Sequence, residues 1–186
     1  PHGETRVWVD GRCVGTNNAL ATPHDYDLGQ LAPGRHSLTV RLDNRLVVDV
    51  GENSHSVSDH TQGNWNGIVG QIGLRATPAV WIDEVRLVPD FSKNRVQATV
   101  QIGNGTGRSG HGNIRWSLTW PGKKTVCFEG NTVLSWSEGT RSEMQVVCPF
   151  GDARWDEFSP ALFDFEVTVE TGEGAADTWR TKTGVR

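Results

Sequence analysis

The sequence predicts an all-β chain of two sandwich-like units, and three observations carry that prediction. Nearly every apolar pattern repeats with period two, as strands with one buried face do. Turn residues break the pattern at short intervals, in "GNGTGRSGHGN", "PGKK", "SEGTR" and "TGEG". No segment carries the 3.6-residue apolar spacing of an amphipathic helix.

The elements follow in order. Val7 and Val9 alternate with Arg6, Trp8 and Asp10, and Asp10-Gly11 then marks a hairpin into "RCVG". Leu38, Val40 and Leu42 alternate through "SLTVRLD", as Ile68, Gly70, Ile72 and Leu74 do through "IVGQIGL". In "ATPAVWIDEVRLVP" the apolar parity shifts between Ile82 and Val85, close to Pro78. A domain junction, or a strand crossing to another sheet, is expected to produce such a shift. The units are therefore placed at residues 1–78 and 79–186. From Val85 onward four inward sets recur: Val96, Ala98, Val100 and Ile102; Ile114, Trp116, Leu118 and Trp120; Met144, Val146 and Cys148; Phe163, Phe165, Val167 and Val169. Seven or so short strands in about 100 residues predict an immunoglobulin-like β-sandwich.

Composition narrows the function classes. The chain has 186 residues, 35% hydrophobic, with a formal charge of −4. A nucleic-acid binder needs a basic face, and the 18 Lys and Arg here are scattered. No apolar run approaches the ~20 residues of a membrane span. Cys13, Cys127 and Cys148 are odd in number. Cys127 and Cys148 fit either a bridge between strands or two small buried hydrophobes. There is no CxxC and no His/Cys cluster at zinc spacing, so neither metal nor cofactor is expected. The Gly-rich run at 103–112 lacks the GK[ST] ending and opens no helix, which makes it a mobile hairpin loop rather than a phosphate cradle. Asn104-Gly105-Thr106 has the form of a glycosylation acceptor. The start, "PHGETRVWVDG", enters a strand without the segments of a signal peptide, and a cut N-terminus is expected. Oligomeric state and compartment stay open, with a periplasmic or secreted setting favoured over a cytoplasmic one.

One stretch stands out for chemistry. "SDHTQGNWNGIVG", residues 58–70, sets Asp59, His60, Gln62, Asn64, Trp65 and Asn66 within eight positions. Carboxylate and carboxamides pair with sugar hydroxyls, and an indole face covers the C–H side of a sugar ring. Eight Trp against one Tyr suits the same chemistry. The same residues would equally serve a loop whose side chains satisfy one another.

Three stretches resemble glycoside hydrolase family 2, which contains β-galactosidases, β-glucuronidases and β-mannosidases. "TRVWVDGRCVGTNNALATPHDYDLGQLAPGRHSLTVRLDN" is similar to the later strands of that family's N-terminal jelly-roll, with its "VDG", "P…YDL" and "L.PG.H.L.VR.DN". "NWNGIVGQIGL" resembles the family's "W…GI.R.V.L", with Gly70 where many members have arginine. "WDEFSPALFDFEVTVETGEGAADTWRTKTGVR" resembles the close of its immunoglobulin-like domain, just before a (β/α)₈ barrel begins. The resemblance implies a truncated jelly-roll, galactose-binding-like β-sandwich over 1–78, followed by an immunoglobulin-like β-sandwich over 79–186.

It also implies a function. Family members are retaining glycosidases with two glutamates about 5–5.5 Å apart at strand ends of the barrel. This chain is expected to hold neither, and Glu129, Glu138, Glu143 and Glu157 show no pairing signal. In the family's β-galactosidases a loop of the first domain supplies an aspartate to sugar hydroxyls. The resemblance puts Asp59 in that role, with Asn64 and His60 beside it. Trp65 either covers the sugar face or anchors the sandwich edge, and His55 is a loop residue satisfied by backbone. The implied partners are a β-linked carbohydrate and the barrel of the same parent chain. The competing readings are a stand-alone carbohydrate-binding or adhesive β-sandwich protein and a purely structural spacer. The chain by itself should hydrolyse no nitrophenyl glycoside; turnover that copurifies with it through successive columns would contradict this.

Overall fold

The computed structural model describes residues 3–19, 22–45, 49, 51–55, 60, 67–120, 122–139, 141–150, 155–172, 174 and 176–184. It is all-β apart from one short 3₁₀ turn at Phe91–Lys93, and it separates into two compact units, Pro1–Leu74 and Arg75–Arg186.

The first unit is built on β1 (Glu4–Val9), β2 (Arg12–Asn17) and β3 (Leu38–Asp43), in antiparallel order β2-β1-β3. Val9 pairs with Arg12, so Asp10 and Gly11 are the two turn residues, with φ of 50° and 79°. Both lie in the left-handed region that a type I′ turn requires, which is why Asp-Gly was a strong hairpin signal. Thr5, Val7 and Val9 form the buried face of β1, opposite Leu42, Val40 and Leu38 of β3. Tyr26 lies over Gly15 of β2, where a Cβ would press on its ring at 3.3 Å. Its hydroxyl donates to the Thr5 carbonyl at 3.0 Å and meets the Thr5 hydroxyl at 2.6 Å. His24 Nε2 faces the Ala19 carbonyl at 2.8 Å and its Nδ1 the Thr5 hydroxyl at 2.6 Å. A proton on Nε2 donates to the Ala19 carbonyl and leaves Nδ1 to accept from the Thr5 hydroxyl. The "PHDYDL" segment is thereby fastened across the sheet.

Residues 68–74 depart from the expectation. The alternating apolar pattern predicts a strand, yet beyond an isolated bridge at Gly67 the segment forms no ladder, and Ile72 and Leu74 are exposed. An extended chain becomes a strand only where a second one takes up its N–H and C=O groups. Among the described residues none does so.

Among the described residues the second unit is a sandwich of seven strands. β4 (Val80–Asp90), β5 (Arg95–Asn104) and β8 (Ser142–Pro149) form one sheet, in order β4-β5-β8. β10 (Ala176–Gly184), β9 (Leu162–Thr171), β6 (Gly110–Thr119) and β7 (Val126–Trp136) form the other, in that order. All pairings are antiparallel. Most of the side chains expected to point inward form the core between the sheets, with Ile102, Ile114, Leu118, Phe163 and Phe165 almost wholly buried, while Trp116, Trp120 and Met144 are only partly covered. Ile82 joins them, as do Leu134 and Trp136 of β7 and Phe150, all of which lie outside the four inward sets.

Two details differ from the sequence reading, and a third decides an alternative it left open. The parity shift at Ile82/Val85 is a β-bulge inside the continuous strand β4: Ile82 pairs with Ile102 and Glu84 with Gln101, leaving Asp83 extra. One added residue turns both Val80/Ile82 and Val85/Leu87 toward the core. The Gly-rich run joins β5 to β6, which belong to different sheets, so it is a crossover and not a hairpin. Asn104 holds it together, accepting from Thr106 N–H and donating to the Arg108 and Ser137 carbonyls at 2.9 and 3.0 Å. Finally, all three cysteines are free thiols. Burial pushes Cys148 up to about 12, and the Cys127 thiol donates to the Leu118 carbonyl at 3.0 Å.

Three of the tryptophans have a shared structural use. Trp81 pairs with Gly103, Trp136 with Gly110 and Trp116 with Gly130, each directly across from the other on neighbouring strands. In each case a Cβ on the glycine would clash with the indole, at 2.2, 2.8 and 2.5 Å from its nearest atom. The missing side chain makes the space, and the ring covers backbone that would otherwise be exposed. Trp116 Nε1 finds no acceptor among the described residues, so packing rather than polarity sets that ring's position. Trp120 instead tilts against Phe163 at 5.7 Å, and Phe150 meets Phe163 at 6.1 Å.

Gly130→Ala should therefore cost about 1–3 kcal/mol by displacing the Trp116 ring. Gly172→Ala, which meets nothing within 4 Å and has no left-handed backbone, should be neutral. Urea unfolding of the two variants checks the difference; equal midpoints would dismiss the Trp–Gly contact as a source of stability.

Candidate functional site

Of the four residues singled out for sugar contact, Asp59, Asn64 and Trp65 lie outside the described residues. Gln62 and Asn66 do as well. His60 is an exposed turn residue. The structure therefore gives the ground on either side of this loop rather than the loop itself. On the N-terminal side β3 ends at Asp43, whose carboxylate accepts from Arg45 Nε at 2.8 Å and from its backbone N–H. Arg45 holds that carboxyl down to about 2. Glu4 and Asp43 also flank Arg41, at 3.1 and 3.7 Å.

On the C-terminal side Gly67 and Gly70 have φ of 93° and 95°. Nothing crowds either position, so the demand for glycine comes from the backbone alone. This accounts for Gly70 where the resemblance would place arginine: an L side chain is strained in that conformation. The chain leaves the loop through two left-handed positions that only glycine enters freely.

Two further polar clusters are well defined. Asp10 sits in the β1–β2 turn and accepts from Ser37 N–H at 2.8 Å and from His36 Nδ1 at 2.7 Å. His36 Nε2 faces the Ala32 carbonyl at 2.7 Å. Both ring nitrogens thus meet acceptors, which an imidazolium satisfies and a neutral ring does not. The hydrogen bond to Asp10, then that to Ala32, raises the His36 pKa above its usual 6.5. The hydrogen bond from His36, then that from Ser37, lowers Asp10 below 3.8.

In the second unit, Asp177 Oδ2 accepts from Arg75 Nη2 and from Ile82 N–H, each at 2.8 Å. The Arg75 guanidinium also donates to the Ile82 carbonyl at 3.2 Å and lies over the Trp179 ring at 5.2 Å. This cluster fastens β10 of one sheet to β4 of the other. Reading along the chain missed it, because Asp177 and Ile82 are 95 residues apart and "AADTW" carries no local signal. Among the described residues no group of three or more His, Cys, Asp or Glu is arranged to hold a metal ion. No helix among them is long and apolar enough to cross a membrane.

These contacts are structural ones, and comparison with known proteins says which structure they serve. Residues 80–186, more than half of the chain, match the family described as glycosyl hydrolases family 2. The chain belongs to glycosyl hydrolases family 2. No curated protein matches it. Solved structures share its fold along its whole length. A GH2 β-galacturonidase from Eisenbergiella tayi, bound to galacturonate, aligns with a TM-score of 0.76 and 22% identity, over 99% of this chain and 32% of that one. Bacteroides uniformis β-glucuronidase 2, covalently bound to cyclophellitol-6-carboxylate aziridine, aligns with a TM-score of 0.72 and 14% identity, over 100% of this chain and 23% of that one. At such identities the likeness is one of fold. The family 2 chain spans about a third or less of these proteins' lengths, and it is homologous to the non-catalytic β-sandwich domains of family 2 glycosidases.

The Asp10–His36 pair gives a pH prediction. A raised His36 contributes stability that is present below pH 6.5 and lost as pH rises through its folded pKa. A lowered Asp10 contributes above pH 3.8 and is lost as pH falls through its own. The pair should hold best between those two values. NMR titration should place the His36 midpoint above 6.5, returning toward it in Asp10→Asn. An unchanged midpoint in the variant would remove Asp10 as the cause.

Proposed function

We propose that this chain is the non-catalytic β-sandwich portion of a retaining exo-glycosidase, lending the 58–66 loop to the sugar site and bracing a catalytic (β/α)₈ barrel of the same parent polypeptide. The observation that carries this reading is the family match over residues 80–186. The fold likeness over 99% of the chain supports extending it to the first unit, read as the C-terminal part of a jelly-roll sugar-binding domain. Retaining glycosidases need a carboxylic acid and a nucleophilic carboxylate about 5–5.5 Å apart, and in this reading the barrel holds both. What the chain adds is binding. Asp59 accepts a hydrogen bond from a sugar hydroxyl, with Asn64 and His60 as neighbouring polar contacts and Trp65 against the ring face or the sandwich edge. A charge-assisted bond of that kind is worth about 1.5–3 kcal/mol, enough to discriminate sugar epimers.

The motif resemblance points to a β-galactoside. The names of the solved relatives, a β-galacturonidase and a β-glucuronidase, favour a second reading in which the terminal sugar is a β-uronide. The two readings differ by a carboxylate at C6, so they separate cleanly in kinetics. The polypeptide encoded by the complete gene should hydrolyse nitrophenyl β-galactoside, β-galacturonide or β-glucuronide with a clear preference for one. Hydrolysis of none of them, with sugar binding retained by this chain, would favour the stand-alone binding protein instead.

In that polypeptide Asp59→Ala should lower kcat/KM about ten- to a hundredfold while leaving the melting temperature unchanged. The loss should nearly vanish for a deoxy substrate lacking the contacted hydroxyl. If parent and deoxy substrates lose alike and melting falls, Asp59 only holds its own loop together.

A further inference from the structure

Large apolar side chains left in solvent are not scattered over the described part of residues 75–186. Phe91, Val126, Phe158 and Leu162 all stand at one end of the sandwich, Phe158 at 89% exposure. Val88 and Val147 lie two residues below that end, on β4 and β8. Only Val133 is elsewhere. The strand register puts these residues together. Asp90 pairs with Arg95 and Arg95 with Pro149, while Thr119 pairs with Asp164 and Leu162 with Gly184. The Trp120–Phe163–Phe150 contacts join the two sheets at that same end. The opposite end, where β4 and β10 begin, is finished by the Arg75–Asp177 pair and the Asn104 hydrogen bonds.

Exposed apolar surface gathered in one place, on a body whose other end is polar, marks an interaction site. We infer that this end is the docking surface for a further folded domain of the same polypeptide, one that presents an apolar face to Phe91, Phe158 and Leu162. The inference rests on the proposed parent glycosidase and names the surface by which the sandwich braces it. Two observations select that occupant. The chain covers only 32% and 21% of two solved relatives that share its fold, so most of each relative lies outside the matched part. The outer face of the four-stranded sheet, by contrast, is laced with its own ion pairs, Arg115–Glu170 and Arg180–Glu166 at 2.6 Å and Lys182–Asp164 at 3.4 Å. A face that satisfies its own charges has little to gain from burial, whereas exposed phenyl rings gain by it.

Hydroxyl-radical footprinting with mass spectrometry tests this on two proteins, the 186-residue chain and the polypeptide of the complete gene. Oxidation of Phe91, Phe158 and Leu162 should fall about fivefold or more in the longer polypeptide, with Val133 unchanged, as expected of a buried interface. Equal oxidation in both proteins, when the longer one hydrolyses β-glycosides, overturns the docking surface and leaves the proposed function standing. A longer polypeptide without β-glycosidase activity overturns the proposed function and this occupant with it. Concentration-dependent protection of Phe158 in the shorter chain, matched by a dimer in sedimentation, makes a second copy the occupant and also overturns the inference. A Phe91→Ser, Phe158→Ser double variant should lower the melting midpoint of the longer polypeptide by several degrees and leave that of the shorter chain unchanged. The opposite pattern assigns both rings to the sandwich itself and refutes docking.

Discussion

The inward faces of the β4-β5-β8 and β10-β9-β6-β7 sheets bury one another, and the rest of the second unit follows from that contact. Ile82, Val96, Val100 and Ile102 from one sheet meet Ile114, Leu118, Phe163 and Val167 from the other, all essentially without solvent exposure. A sheet has only two faces, so a buried inner face forces every alternate residue outward. Arg115, Glu166, Glu170 and Arg180 accordingly appear outside, where they pair with one another. The bulge at Asp83 serves the same demand. Without an extra residue, either Val80 and Ile82 or Val85 and Leu87 would have faced solvent.

Close packing also explains how the tryptophans are used. A composition of eight Trp suggested a sugar-covering surface. Trp81, Trp116 and Trp136 instead cover glycines on the adjoining strand, and Trp120 packs on Phe163. An indole is too large to sit at every inward position of a sandwich, and a glycine beside it supplies the missing volume. Aromatic content alone does not distinguish ligand platforms from packing, because the same flat apolar ring serves either.

The first unit obeys a different constraint. Among the described residues β1 pairs with β2 on one side and β3 on the other, and the Tyr26 and His24 segment is held to β1 through hydrogen bonds to Thr5. Residues 68–74 carry a strand-like pattern without a ladder. Period-two alternation reports which face of a strand wants burial and says nothing of where its hydrogen-bonding partner lies. The family match falls on residues 80–186, and the fold likeness to solved family 2 structures runs over both units.

The sequence by itself determined the all-β class, the approximate strand count of the second unit and most of its core residues, though not Leu134, Trp136 or Phe150. Those depend on local alternation and turn chemistry, and Asp10-Gly11 delivered its hairpin for the same reason. It also marked 58–66 as the stretch whose residue types suit sugar, a matter of side-chain chemistry and not of position. Only the tertiary structure decided which strands share a sheet, that the Gly-rich run is a crossover, and that Asp177 secures Ile82 from 95 residues away. It likewise decided that Gly70 is glycine for its φ, and that the exposed phenyl rings lie at one end. Each of these is a relation between distant segments, and a relation of that kind leaves no periodic trace in the chain. It exists only once the two sheets have closed over their common core.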